Sequence, residues 1–134
     1  MKALITGATG FIGSHLAERL AASGCDVSCL VRNTSSLKWL DNVNVKLIQG
    51  DCCDFTTLKD AVRGNDYIFH LAGLTKTNKA EEFYSVNSRG TGNLIKAVFE
   101  TNPKIKRFVY LSSLAAAGPS INSKIGRASC RERV

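Results

Sequence analysis

No apolar run in this 134-residue chain approaches the ~18 residues that would cross a bilayer, which argues against a membrane-spanning helix. Nothing like a signal peptide precedes the first apolar strand, which starts at Lys2, so the expectation is a cytoplasmic protein with no membrane partner. Cysteine is too sparse and too oddly numbered for a disulfide framework: there are five, and reduced, largely inert thiols are expected. Metal-ligand spacing is missing too. Cys52 and Cys53 are adjacent, Cys25 and Cys29 are four apart, and only His15 and His70 could join them, so no metal site is expected. A formal charge of +7 could draw nucleic acid, but Lys and Arg are scattered rather than blocked, and no nucleic-acid partner is expected. What is present, 44% hydrophobic and 22% charged residues, is the composition of one globular domain with a real core.

Residues 125–134 stand apart. Ile-Gly-Arg-Ala-Ser-Cys-Arg-Glu-Arg-Val has no apolar period, cap or turn logic, and it resembles the translation of a common DNA sequencing adapter. Such a tail is excluded from fold reasoning. It holds three Arg and one Glu, which leaves +5 for residues 1–124, the expected domain.

Within that domain, β-rich runs alternate with helical stretches. Strands are predicted at 2–6, 26–31, 45–49, 67–71 and 107–111, each apolar and rich in β-branched or aromatic residues. Ile12, Leu16 and Leu20, flanked by Ala17 and Ala21, form an apolar stripe at helical spacing, with Gly24 where a left-handed C-terminal cap belongs. Further helical stretches are expected at 34–40, 56–62 and 80–100, the last stopped by Asn102 and Pro103. This alternation predicts an α/β fold with a parallel sheet and right-handed crossovers.

The most specific signal is Thr6-Gly7-Ala8-Thr9-Gly10-Phe11-Ile12-Gly13, set between the first strand and the first helix. Glycines there let the backbone approach a pyrophosphate, and the helix N-terminus offers free N–H groups and partial positive charge. A dinucleotide is the expected ligand, with a merely connecting Gly-rich turn as the alternative. Thr followed by Gly-x-x-Gly-x-x-Gly resembles the extended type of the short-chain dehydrogenase/reductase superfamily, also called the NAD-dependent epimerase/dehydratase family. The resemblance runs over residues 1 to about 124 and implies an N-terminal fragment of a Rossmann-type, doubly wound parallel sheet ordered 3-2-1-4-5, truncated after its fifth strand.

Other segments fall in register with that resemblance. Cys29-Leu30-Val31-Arg32-Asn33 ends the second strand where a carboxylate would hold the ribose 2′-hydroxyl of NAD. None is present, and Arg32 offers a guanidinium to a 2′-phosphate, so NADP is preferred over NAD, with Asn33, Ser35 and Lys38 as candidate helpers. A solvated surface arginine is the alternative. Gly50-Asp51-Cys52-Cys53-Asp54 resembles the family's adenine-pocket segment, which implies Asp51 accepting from the adenine amine with Cys52 beside it; Asp54 is expected to cap a helix. His70-Leu71-Ala72-Gly73 resembles the loop over the ribose and adenine, where the main chain matters most and His70 is expected to be structural.

Asn87 shares a predicted helix face with Phe83, Gly90, Leu94 and Val98, where an unsatisfied amide would cost ~1 to 3 kcal/mol, so a partner is expected. The run Asn87-Ser88-Arg89-Gly90-Thr91-Gly92-Asn93-Leu94 resembles a family segment whose first Asn supports the active-site hydrogen bonds; an amide satisfied by nearby backbone is the competing reading. Ser113, five residues before Gly118, matches the family's catalytic Ser or Thr, which implies a hydrogen bond to the substrate's carbonyl or alcohol oxygen, with Ser112 as the fallback.

The family's Tyr-x-x-x-Lys pair is absent. Tyr67, Tyr84 and Tyr110 are followed four positions on by Leu71, Ser88 and Leu114. The expectation is an NAD(P)-binding part of an oxidoreductase, epimerase or dehydratase for a small-molecule substrate, a sugar nucleotide, sterol or similar carbonyl or alcohol, with no turnover of its own. A homodimeric parent is left open, and a non-catalytic NAD(P)-sensing domain is the rival. A fifth strand left without its neighbour would be an aggregation hazard.

Overall fold

A computed structural model describes residues 1–113. The chain runs β1 (Lys2–Thr6), α1 (Phe11–Ala22), β2 (Asp26–Val31), β3 (Lys46–Gln49), α2 (Phe55–Val62), β4 (Tyr67–His70), α3 (Ala80–Tyr84), a π turn (Ser85–Arg89), α4 (Gly90–Thr101) and β5 (Arg107–Tyr110). All five strands are parallel, in the order β3-β2-β1-β4-β5. This is the Rossmann-type α/β architecture, doubly wound around β1. No helix among the described residues is long and apolar enough to cross a membrane.

The period of two along each strand divides the core between the two faces. Leu4, Leu30 and Ile68 point to one face, where α2 and α4 cover them with Leu58, Ala61, Val62, Leu94, Ala97 and Val98. Ile5, Val27 and Cys29 point to the other, against Ala17 of α1 and Leu40. Each large aliphatic side chain fully removed from water contributes ~1.5 to 3 kcal/mol. Asn102 ends α4 and donates to the carbonyls of Val62 and Asn65 at 2.9 and 2.8 Å, tying α4 to the end of α2. Gly24 has φ +77°, the left-handed cap that the sequence pattern predicts.

Three expectations are corrected. Residues 34–40 form no helix: Ser35 closes a turn on Arg32, and the Leu40 and Val43 N–H groups donate back to Leu37 and Leu40, a series of short turns. The segment is too short to nucleate a helix against side-chain competition for its backbone. Ile12 is 57% exposed and lies outside the buried stripe, which consists of Ala17 with Leu16, Leu20 and Ala21 packed beside it. Residues 80–101 are not one regular helix. The π turn inserts an extra residue and rotates what precedes it, so Phe83 is 44% exposed while Gly90, Leu94 and Val98 are buried.

Candidate functional site

The site lies at the C-terminal edge of the sheet, over the reversal of strand order between β1 and β4, where open α/β sheets bind ligands. Thr6 ends β1, and the backbone turns sharply at Gly7, whose φ is +75°. A Cβ on Gly7 would stand 2.6 Å from the Ala72 nitrogen, so the turn passes directly against the loop after β4. A Cβ on Gly13 would meet the Gly7 carbonyl oxygen at 2.2 Å, so only glycine lets α1 sit this close to the turn. The N-terminus of α1 has no side-chain cap and no acidic residue in its first turn, which leaves N–H groups and partial positive charge directed outward.

In front of this turn lies an open cleft of about 260 Å³ lined by Thr6, Gly7, Thr9, Gly10, Leu30, Arg32, Ser35, Gly50, Asp51, Cys52, Leu71, Ala72, Gly73, Leu74 and Val86. Eleven of the residues singled out as candidates from the sequence therefore line one cleft: Thr6, Gly7, Thr9, Gly10, Arg32, Ser35, Asp51, Cys52, Leu71, Ala72 and Gly73. Phe11, Ile12 and Gly13 do not line it. Phe11 and Ile12 are 70% and 57% exposed at the start of α1, and what they offer the site is main chain. Lys38 stands over the Trp39 ring, and neither it nor Asn33 lines the cleft.

At the end of β2, Arg32 is exposed and forms no ion pair among the described residues. Its N–H donates to Ser35 Oγ at 3.3 Å, which folds Ser35 onto the same rim. Asp51 Oδ1 accepts from the Cys53 N–H at 2.8 Å, and the Asp51 N–H donates to Thr57 Oγ1 at 3.1 Å, fixing the loop after β3. Asp54 caps α2 through the Thr56 N–H, and the Thr56 hydroxyl, donating to Oδ1 at 2.7 Å, together with that N–H holds its carboxyl below the usual range. Burial pushes the Cys52 thiol up to about 12, with Asp51 nearby adding to the effect, so at neutral pH the pocket side of this loop carries no thiolate.

The loop after β4 is held from behind. Asn87 Oδ1 accepts the Leu74 N–H at 2.8 Å and its Nδ2 donates to the Leu74 carbonyl at 2.9 Å. The amide thus has its partner, and that partner is backbone. His70 is fully buried beneath the same loop, between Thr6 and Thr91, and burial lowers its pKa to about 4. Ser112 and Ser113 follow β5 and are exposed; neither lines the cleft. Gly118 and the tail at 125–134 lie outside the described residues. Leu74 and Val86 escaped the sequence reading. Val86 lies in the π turn and lines the cleft, and no simple periodicity announces that.

Among the described residues no cluster of three or more His, Cys, Asp or Glu could hold a metal ion. Cys25, Cys29, Cys52 and Cys53 are free.

Comparisons with known proteins converge on one lineage. A ceramide reductase of Caulobacter vibrioides is 34% identical over 119 residues, covering 89% of this chain and 37% of its own length. The sterol demethylase protein B of Methylococcus capsulatus is 32% identical, over 88% of this chain and 36% of its own. Among solved structures, the UDP-glucose 4-epimerase from Bifidobacterium longum, in complex with NAD+ and UDP, superposes with a TM-score of 0.78 at 26% identity, over 95% of this chain and 41% of that one. The chain thus spans well under half the length of these relatives. Residues 3–132 match the NAD dependent epimerase/dehydratase family, and with the glycine turn, the strand order and the cleft in agreement, the chain belongs to that family.

Proposed function

We propose that this chain is the cofactor-binding part of an NAD(P)-dependent oxidoreductase, epimerase or dehydratase whose substrate is a carbonyl or alcohol of a sugar nucleotide, sterol or similar small molecule. The observation that carries the reading is the uncapped N-terminus of α1 opening onto the cleft over Gly7, at a turn where a Cβ would fill the space. The residues fit a dinucleotide. Main-chain N–H groups at the start of α1 would hold the pyrophosphate, Asp51 would accept from the adenine amine, and the main chain of Leu71, Ala72 and Gly73 would border the ribose. Arg32, with Ser35 beside it, would bind a 2′-phosphate, and the absence of a carboxylate at the end of β2 favours NADP over NAD.

The nicotinamide, when bound, supplies hydride acceptance or donation. The chain's own contribution is to orient: Asn87 holds the loop that borders the cofactor, and Ser113 would hydrogen-bond the substrate oxygen. The family resemblance implies a phenol as general acid/base, its pKa lowered by a Lys four residues on; no Tyr in this sequence has one, so the chain by itself should show no turnover. Calorimetric titration with NADP and with NAD tests the reading. Tighter binding of NADP is the expected result; equal affinity would remove the NADP preference, and no binding of either would remove the function.

A further inference from the structure

His70 closes β4 with hydroxyls on both sides of its ring: Nδ1 is 2.6 Å from Thr6 Oγ1, and Nε2 is 2.9 Å from Thr91 Oγ1. Counting protons gives the row a direction. The Thr91 hydroxyl has one proton and donates it to the Asn87 carbonyl at 2.8 Å, so toward His70 its oxygen can only accept. Nε2 must then carry the single N–H of a neutral imidazole, and Nδ1 accepts from the Thr6 hydroxyl. With its proton so directed, Thr6 Oγ1 is open to the Ala72 N–H, which donates to it at 3.3 Å. The row runs one way: Ala72 N–H, Thr6 O–H, His70, Thr91 O–H, Asn87 C=O. Tyr110 stacks on the imidazole at 5.4 Å between centroids.

One end of this row is part of the cleft wall. Thr6 leads into the glycine turn and Ala72 belongs to the loop after β4, and both line the cleft. At the far end, Asn87 is the residue whose side chain grips Leu74. We propose that His70 is a positioning residue: fixed as the Nε2–H tautomer between Thr91 and Thr6, it turns the Thr6 oxygen toward Ala72 and so sets the gap between the glycine turn and the facing loop. The proposal rests on the dinucleotide reading for what the gap receives. The tautomer and the Thr6–Ala72 bond stand apart from it.

The test uses the whole 134-residue chain, with NADP as the probe. Long-range ¹H–¹⁵N spectra should show His70 with a protonated Nε2 and a bare Nδ1, with His15, the second histidine, as the reference. The Ala72 amide should exchange slowly. In His70→Asn the side-chain oxygen falls where Nδ1 was and can still accept from Thr6; in His70→Gln the amide falls where Nε2 was and Thr6 loses its partner. Asn should therefore keep Ala72 protected and NADP affinity within about twofold, while Gln should unprotect Ala72 and weaken NADP about tenfold, at comparable loss of melting temperature. An Nδ1–H tautomer, or affinity that follows stability alike in both variants, overturns the proposal. A wild-type chain that binds no NADP overturns the dinucleotide reading instead, and the tautomer and Ala72 exchange still decide the role of His70.

Discussion

Asn87 and Leu74 pair like two residues of adjacent strands, although one sits in a π turn and the other in a loop: the Leu74 N–H and C=O are both taken up by the Asn87 amide, at 2.8 and 2.9 Å. A side chain here does the work of a sheet ladder and stops the loop after β4 from drifting off the cleft.

Removing that pair should therefore be felt twice. Asn87→Ala strips two part-buried hydrogen bonds and should cost about 2 kcal/mol of stability, with weaker dinucleotide binding as well. Urea unfolding and titration calorimetry on the same sample read both. Asn87→Asp, which keeps the acceptor for the Leu74 N–H but sets a carboxylate against the Leu74 carbonyl, should not restore either quantity.

Gly13 and Gly92 should respond in opposite directions to alanine. A methyl at Gly13 runs into the Gly7 carbonyl and the Ala8 backbone, neither of which can move without opening the turn, so Gly13→Ala should lose at least about 2 kcal/mol and dinucleotide binding. Gly92 lies in α4 with nothing within 4 Å of an added Cβ, and Gly92→Ala should gain ~0.5 to 1 kcal/mol of stability by helix propensity. Thermal melts of the two variants provide the comparison.

Acidification should weaken the fold in a window set by His70. Its folded pKa is lowered from 6.5 to about 4 by burial, so between those values the unfolded chain binds a proton that the folded chain refuses. Stability is complete above pH 6.5 and declines as pH falls, by up to about 3 kcal/mol near pH 4. Asp54, Asp66 and Glu100, lowered by their hydrogen bonds, contribute stability that is lost only at and below the ordinary carboxylate range, at the acid end of this window. Urea midpoints measured from neutral pH downward should slope for the wild type and flatten above the carboxylate range in His70→Asn.

Arg32→Asp should reverse the cofactor preference proposed above. A carboxylate at the end of β2 repels a 2′-phosphate and accepts from a 2′-hydroxyl, so NADP affinity should fall at least tenfold while NAD is kept or improved. A parallel loss for both cofactors would mean that Arg32 acts on the shape of the rim rather than on the phosphate.

Alkylation should separate two neighbouring thiols. Cys53 is exposed, although partial burial and then Asp51 raise its thiol, whereas Cys52 is buried with its thiol pushed up to about 12, and Cys29 is pushed up to the same level by burial. Peptide mapping after brief iodoacetamide treatment of the folded chain should find Cys53 modified and Cys52 and Cys29 untouched, with all five cysteines reacting in urea.

Strand positions and the glycine turn were legible in the sequence because both obey short-range rules: a buried parallel strand is a continuous apolar run, and a turn with φ near +75° needs glycine. Asp54 and Gly24 could be read as caps for the same reason. What escaped depends on registers that no local pattern carries. Residues 34–40 contain enough apolar positions to suggest a helix, yet Leu37 and Leu40 are pinned by the neighbouring core and the intervening Lys38 and Trp39 face water in a turn. The π turn broke the assumed face of 80–101, so Phe83 was misplaced and Val86 overlooked. Asn87 was expected to need a partner, but that the partner would be Leu74 follows only from the folded loop.

The central place of β1 bears on how the polypeptide emerges from a ribosome. β1 takes β2 along one side early, but its other side waits for residues 67–70, more than sixty codons later. At ~5 to 20 amino acids per second that interval is on the order of ten seconds, during which a nascent half-sheet presents a bare hydrogen-bonding rim to whatever lies nearby. A chaperone that shields extended backbone during those seconds would raise the yield of native molecules more than one that acts after release.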